Sequence, residues 1–215
     1  MAKIEIIGAP QSTVVRAARI ACEEKGVTYR LTPARPHSPE VDRIHPFGKI
    51  PVMRCGDFEL CESKAIAAFV DRAFPGPKLF PDDAKRGAKV EQWVSIINTS
   101  IVPAVMAYFG AYFFPKAANG QPDRAAIEHV LPDVRACIDV LDKAVAGSRD
   151  LAGNEFTYAD IALLPLLAYL RDLPESRAVL AEKKELTRYF DQHSRRESFQ
   201  ATVPPPMSEL RSSAS

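Results

Sequence analysis

The sequence predicts an α/β domain followed by an all-helical domain, and three observations predict it. Strand and helix signals alternate through the first third of the 215 residues, a stretch of breakers follows at "FPGPKLFPDD" (74–83), and everything beyond it reads helical. With 47% hydrophobic residues the chain is able to bury a sizeable core, as one domain or as two.

"KIEII" (3–7) reads as a strand ending in Gly8, and Ser12 and Thr13 offer an N-cap to "VVRAARIACEEKG" (14–26), a helix closed by Lys25 and Gly26. A second strand, "VTYRLTP" (27–33), leads into a polar, Pro-rich connection, "ARPHSPEVDRIHPFG" (34–48). "IPVMR", the turn "CGD" and "FELCE" then make a hairpin over 50–62, and a helix runs from Ser63 to about Phe74. The order is β-α-β, a loop, then β-β-α. Later helices are expected over 84–111, 123–146, 157–173 and 184–194. The expected boundaries are 1–76 for the first domain, 77–84 for a linker, 85–203 for the helical domain and 204–215 for a flexible tail.

In "FTYADIALLPLLAYL" (156–170), Thr157 and Asp160 have the spacing of a capping box and Phe156 and Ile161 that of a hydrophobic staple. Asp160 is therefore read as a fold-stabilising residue of the helical domain and not as a catalytic acid.

Composition restricts the partners. The 28 basic residues against 27 acidic give a net charge of +1 with no single-sign block, which points away from nucleic acid and anionic membrane and towards a small ligand. The apolar stretch of "MAKIEIIGAP" is too short for a signal peptide, and no run reads as approaching the roughly 18 apolar residues of a membrane span. A cytoplasmic protein is expected. Cys22, Cys55, Cys61 and Cys137 form no C-x-x-C pair, and His37, His45, His129 and His193 lack metal-ligand spacing, so buried reduced thiols and no metal are expected.

Three short stretches point to chemistry. Pro51 has no N–H, and an Ile-Pro bond entering a strand is a plain turn or a cis site that leaves the Ile50 backbone free to pair with an extended ligand. Glu62 and Ser63 enter a helix; either Ser63 simply caps it, or the pair receives the ammonium and carboxylate of an amino-acid end. Ser12 opens the first helix, as an N-cap or as a hydroxyl beside a site that favours a thiolate.

Together these stretches, in the order "KIEIIGAPQSTVVRAARIACEEKG", "HPFGKIPV", "GDFELCESKAI", "LFPDD" and "LAGNEFTYADIALLP", resemble the cytosolic glutathione transferases over nearly the whole chain. The N-terminal motifs look most like the serine-type, phi-like group. The resemblance implies a thioredoxin-like N-terminal domain of β-α-β-α-β-β-α type, which binds glutathione, and an all-α C-terminal domain with a hydrophobic substrate pocket. It implies that Ser12 stabilises the glutathione thiolate, that Pro51 is the cis-proline with Ile50 holding the cysteinyl part, and that Glu62 and Ser63 receive the γ-glutamyl end. Lys49 stands where the family has glutamine and is assigned to the glycyl carboxylate, with His37 aligned loosely as a second contact. His45 replaces the family's Asn and is read as shaping the turn.

The implied activity is attack of the thiolate on a hydrophobic electrophile, with glutathione as co-substrate, a homodimer as the assembly and detoxification as the role. "SIVPAVMAYFGAYFF" (100–114) offers Tyr108 and Tyr112 as candidate pocket residues, although so apolar a run equally suits core or dimer contact. Phe47 and the helix from Val90 to Ala107 are plausible dimer contacts. Glutathione-dependent peroxide reduction and a non-catalytic, transferase-like binding or interaction protein are the alternatives. Thiol exchange is disfavoured, because serine and not cysteine stands at position 12.

Overall fold

The computed structural model describes residues 3–115 and 120–207, so most of the expected tail, residues 208–215, lies outside the described residues. Two compact units are present: residues 3–82 together with 194–207, and residues 83–193. The first unit contains β1 (Ile4–Ile7), α1 (Thr13–Glu24), β2 (Tyr29–Thr32), α2 (Pro39–Asp42), β3 (Val52–Cys55), β4 (Phe58–Cys61) and α3 (Ser63–Ala73). Its sheet has the order β2-β1-β3-β4, with β1 parallel to β2 and antiparallel to β3, and β3 antiparallel to β4.

Alternation along β1 decides what packs where. Ile4 and Ile6 join Met53, Val15, Ala18 and Cys22 of α1, and Ile66 and Val70 of α3, on one face. Ile7 and Val52 meet Val41 of α2 on the other. On that second face Arg54 of β3 reaches Glu40 of α2 at 2.7 Å and Glu59 of β4 at 3.0 Å, which fixes α2 over the hairpin. The hydroxyl of Thr32, outweighing the opposing effect of burial, and the guanidinium of Arg30 hold the Glu5 carboxyl below the usual carboxylate range.

The segment after α3 is irregular, as expected, but it is pinned from within. The buried Lys25 ammonium donates to Asp71 Oδ1 at 3.0 Å and to the carbonyls of Gly76 and Pro77 at 3.3 and 2.9 Å. Asp71 in turn accepts the N–H groups of Leu79 and Phe80. Lys25, predicted only as the end of a helix, is the hub that holds this connection against α1 and α3.

The second unit contains α4 (Ala84–Ile96), a π-helical segment (Ile97–Ile101), α5 (Val102–Phe113), α6 (Arg124–Ala144), α7 (Tyr158–Asp172), α8 (Pro174–Ala181) and α9 (Lys184–His193). Residues 84–113 form one 30-residue rod whose most apolar window has a mean hydropathy of 1.5. This corrects the expectation that no run approaches membrane length: by length and composition the rod passes, because Asn98, Thr99 and Ser100 interrupt its apolar character without carrying charge. Val90, Val94, Ile97, Ile101 and Val105 of the rod lie in the core of this unit.

Asp160 is the polar anchor of the second unit. It is fully buried at the start of α7 and accepts from the N–H groups of Leu151 at 2.7 Å and Thr157 at 2.8 Å, from the Thr157 hydroxyl at 3.2 Å and from the Tyr189 hydroxyl at 2.8 Å. The capping box expected from Thr157 and Asp160 is present. Burial raises the Asp160 pKa, with the three donating residues opposing it.

The last element, α10 (Glu197–Gln200), belongs to the first unit, so the expected helical domain of 85–203 extends too far. The buried Arg16 guanidinium of α1 donates to the Phe199 carbonyl at 3.0 Å and lies 3.8 Å over the Phe199 ring, while Arg196 and Ser198 both donate to Glu24. α2, α8 and α10 have no counterpart in the helices read from residue patterns. Each is short, and α2 and α8 begin at Pro39 and Pro174, residues that read as breakers but suit a first helical position.

Replacing Asp160 by alanine strands four donating groups in the core and is expected to cost about 3–5 kcal/mol. Urea denaturation measures it; a loss below about 1 kcal/mol would reduce Asp160 to an ordinary exposed cap.

Candidate functional site

The ladder brings the chemistry-bearing stretches to one end of the sheet. Ile7, the last residue of β1, pairs with Val52, the first of β3, and Val52 pairs with Cys61, the last of β4. Beyond that rung the chain leads back from β3 to Pro51 and Ile50 and on from β4 to Glu62 and Ser63, so both dipeptides leave the sheet at the same end. From the same end β1 runs through Gly8 to Ser12.

Ser12 is the N-cap of α1, and its Oγ accepts from the Val15 N–H at 3.4 Å. Accepting leaves the hydroxyl proton available for donation outwards, beside the positive end of the helix. The Ile50–Pro51 peptide is cis, Pro51 is buried, and Ile50 lies outside the paired register that begins at Val52.

At the mouth of α3 one expectation needs correction. The N-cap is Glu62, whose backbone has φ +72°, and Ser63 is the first helical residue. The β4 strand must turn abruptly into the helix there, and the left-handed backbone of Glu62 makes the turn. Glu62 carries no side-chain cap; its carboxylate is 68% exposed, and Oε1 is 3.3 Å from Nε2 of His45.

The His45 ring is only 3% exposed, and its Nδ1 accepts from the Phe47 N–H at 3.0 Å. It shapes the turn, as expected, but its contact with Glu62 is not visible in the sequence: residues 17 apart give no local signal of it. Lys49 is exposed immediately before Ile50. His37, also exposed and with φ +61°, donates its N–H to the Gly48 carbonyl at 2.8 Å, which sets it beside Lys49 along the loop. Gly48 has no room for a Cβ, because the His37 ring and the Asp42 carboxylate occupy that space.

Tyr108 and Tyr112 are placed elsewhere. They are 0% and 8% exposed in the second unit, and both hydroxyls donate to Glu175, whose carboxylate also meets Arg124 at 2.7 Å. Burial first, and then the neighbouring carboxylate, raise the pKa of Tyr112. These tyrosines tie α5 to α8 and α6, and they offer no free wall to a ligand. Burial likewise pushes the Cys22 thiol up to about 12, so it is no reactive thiol inside α1.

The end of the sheet thus offers a hydroxyl donor at a helix N-terminus, a strand start lying beyond the ladder, an exposed carboxylate beside the first turn of an 11-residue helix, and an exposed ammonium. This set suits a short extended molecule with a zwitterionic end, a peptide-like middle and an anionic centre.

Two family models match the chain, described as glutathione S-transferase, N-terminal domain, over residues 6–78, and glutathione S-transferase, C-terminal domain, over residues 124–192. The sequence is 30% identical to glutathione S-transferase 3 of Zea mays, over 97% of this chain and 99% of that protein. Its fold is similar to the structure of glutathione S-transferase III in apo form, with a TM-score of 0.83 and 27% identity, covering 95% of this chain and all of the other. It is also similar to glutathione S-transferase I from mais in complex with an atrazine glutathione conjugate, with a TM-score of 0.83 at 23% identity over 94% of this chain and 96% of that one.

Gly8 joins the two halves of this end of the sheet, since a Cβ there would lie 2.6 Å from Val15 Cγ2 and 3.2 Å from Ile50 Cβ. Gly8→Ala is expected to lower stability by about 1–3 kcal/mol through overpacking. Thermal and urea unfolding check it, and an unchanged midpoint would mean that α1 and Ile50 separate freely.

Proposed function

The chain belongs to the glutathione S-transferase family, and on that premise we propose that it holds the glutathione thiolate for attack on a hydrophobic electrophile, by serine-type, phi-like chemistry. The observation that carries the assignment of residues is the convergence of Ser12, Ile50–Pro51 and Glu62–Ser63 at one end of the sheet.

Glutathione lies extended across that end. The Glu62 carboxylate receives the γ-glutamyl ammonium, and Ser63 with the first-turn amides of α3 receives the α-carboxylate. The Ile50 backbone pairs with the cysteinyl residue as an added strand, Lys49 receives the glycyl carboxylate, and His37 lies on the same side. The sulfur then faces Ser12. A free thiol titrates at roughly 8.5, and a hydrogen bond from the Ser12 hydroxyl together with the positive end of α1 favours its deprotonated form. The proton leaves to solvent, and the sulfur lone pair forms a C–S bond to the electrophilic carbon as that carbon's leaving group departs with its bonding pair, or, where the electrophile is an activated double bond, as the π pair shifts to the neighbouring atom and takes a proton from water; Ser12 is never itself the nucleophile.

Peroxide reduction would draw on the same thiolate. Thiol exchange would need a cysteine at the mouth of α1, where Ser12 stands.

With this reading go a cytoplasmic location, a role in detoxification and a homodimer. The dimer face we favour is a groove of about 520 Å³ on α3 and β4, lined by Leu60, Ala65, Ala68, Phe69, Arg72 and Ala73. Phe58 stands exposed against Phe69, with ring centroids 5.0 Å apart, and β4 is an edge strand. Ala68→Arg is expected to yield a monomer by light scattering, and an unchanged mass would move the interface elsewhere.

Calorimetric titration of glutathione and the ultraviolet absorbance of the bound thiolate against pH test the site. Ser63→Ala is expected to weaken binding. Ser12→Ala is expected to return the bound thiol towards roughly 8.5 and to lower kcat by roughly two orders of magnitude. A wild-type protein that binds no glutathione would overturn the assignment.

A further inference from the structure

We infer that His45 is a positioning residue that holds Glu62 in place for the γ-glutamyl ammonium; the inference rests on the reading of Glu62 given above. The position of His45 is itself fixed. Its N–H donates to the Val41 carbonyl at 2.8 Å at the end of α2, its carbonyl accepts from Gly48 N at 3.0 Å, and its ring is buried. Phe47 covers one edge of that ring, with centroids 6.3 Å apart.

Because Nδ1 accepts from the Phe47 N–H, the neutral ring carries its proton on Nε2, the atom that faces Glu62 Oε1 at 3.3 Å. A fixed donor therefore meets an exposed, otherwise mobile carboxylate on a residue whose backbone is already committed to φ +72°. Holding Oε1 leaves Oε2 to meet the ammonium, and the rotamer freedom of a long acidic side chain is lost before the ligand arrives and not at its expense. His45 also lies in the loop that leads through Gly48 to Lys49 and Ile50, so one ring ties the γ-glutamyl end of the site to its glycyl end.

The two ring nitrogens can be replaced separately. The Gln amide nitrogen reaches about as far as Nε2 and retains the donor to Glu62, whereas Asn ends at the level of Nδ1 and retains only the acceptor for the Phe47 N–H. Binding of glutathione and of its des-amino analogue, glutaryl-cysteinyl-glycine, is measured by calorimetry on the full chain for wild type, His45→Gln and His45→Asn, with thermal unfolding recorded for each. Wild type is expected to prefer glutathione over the analogue. His45→Asn is expected to lose roughly tenfold in glutathione affinity, a typical effect for a hydrogen bond to a charged group, with little change for the analogue. His45→Gln is expected to keep the preference.

A residue that only shapes the loop would give the opposite order, with Asn behaving as wild type and Gln impaired towards both ligands; that result overturns the inference. Equal preference in wild type and His45→Asn overturns it while leaving Glu62 as the ammonium receptor. Wild-type protein that binds both ligands alike would remove the role of Glu62 itself, and that of His45 with it.

Discussion

The rung Ile7–Val52–Cys61 is the constraint on which the rest of the first unit depends. In a sheet whose side chains alternate, a slip of one residue would turn Ile4, Ile6 and Met53 out of the core that α1 and α3 complete. The same rung sets the ends of β3 and β4 from which Ile50–Pro51 and Glu62–Ser63 leave the sheet. Burial therefore enforces the register for its own reasons, and the binding geometry follows from it. Beyond the hold of His45 on the Glu62 side chain, the residues that carry chemistry are placed by lying next to the points where strand pairing stops.

Each unit also ties irregular backbone to a buried ionisable group. Lys25 in the first unit and Asp160 in the second are surrounded by groups that would otherwise be stranded: the carbonyls of Gly76 and Pro77, and the N–H groups of Leu151 and Thr157. Desolvating a charge is costly, and full hydrogen bonding offsets that cost only where every lone pair or proton finds a partner. Both sites come close to that condition, so they act as local determinants of chain path, whatever net stability they add.

What could be read from the sequence was whatever has a local signature. The strands of the first unit, α1, α3 and the capping box at Thr157 and Asp160 follow from alternation, helical periodicity and fixed spacings, whereas the missing N–H of Pro51 left a plain turn and a cis site both open, and the peptide is cis. The cap of α3 was misplaced by one residue because serine is the better capping residue by type, whereas the turn out of β4 is made by the backbone of Glu62. Tyr108 and Tyr112 show why an apolar helix cannot be assigned a facing from composition: Glu175, more than 60 residues away in the chain, decides that their hydroxyls turn inwards. The contact of His45 with Glu62 was invisible for the same reason, since only the fold brings a loop before β3 against the turn after β4.

The return of residues 196–202 to α1 makes the first unit discontinuous along the chain, with the whole of the second unit inserted between its parts. On a ribosome, where synthesis proceeds from the N-terminus at about 5–20 residues per second, the sheet and the helices α1 and α3 emerge well before Phe199 exists. The guanidinium of Arg16, one helical turn from Ser12, gains the Phe199 carbonyl and ring only after every helix of the second unit has been made. The nascent N-terminal half is thus an unfinished body, and the arrival of its last contacts reports that translation has passed through the entire insert.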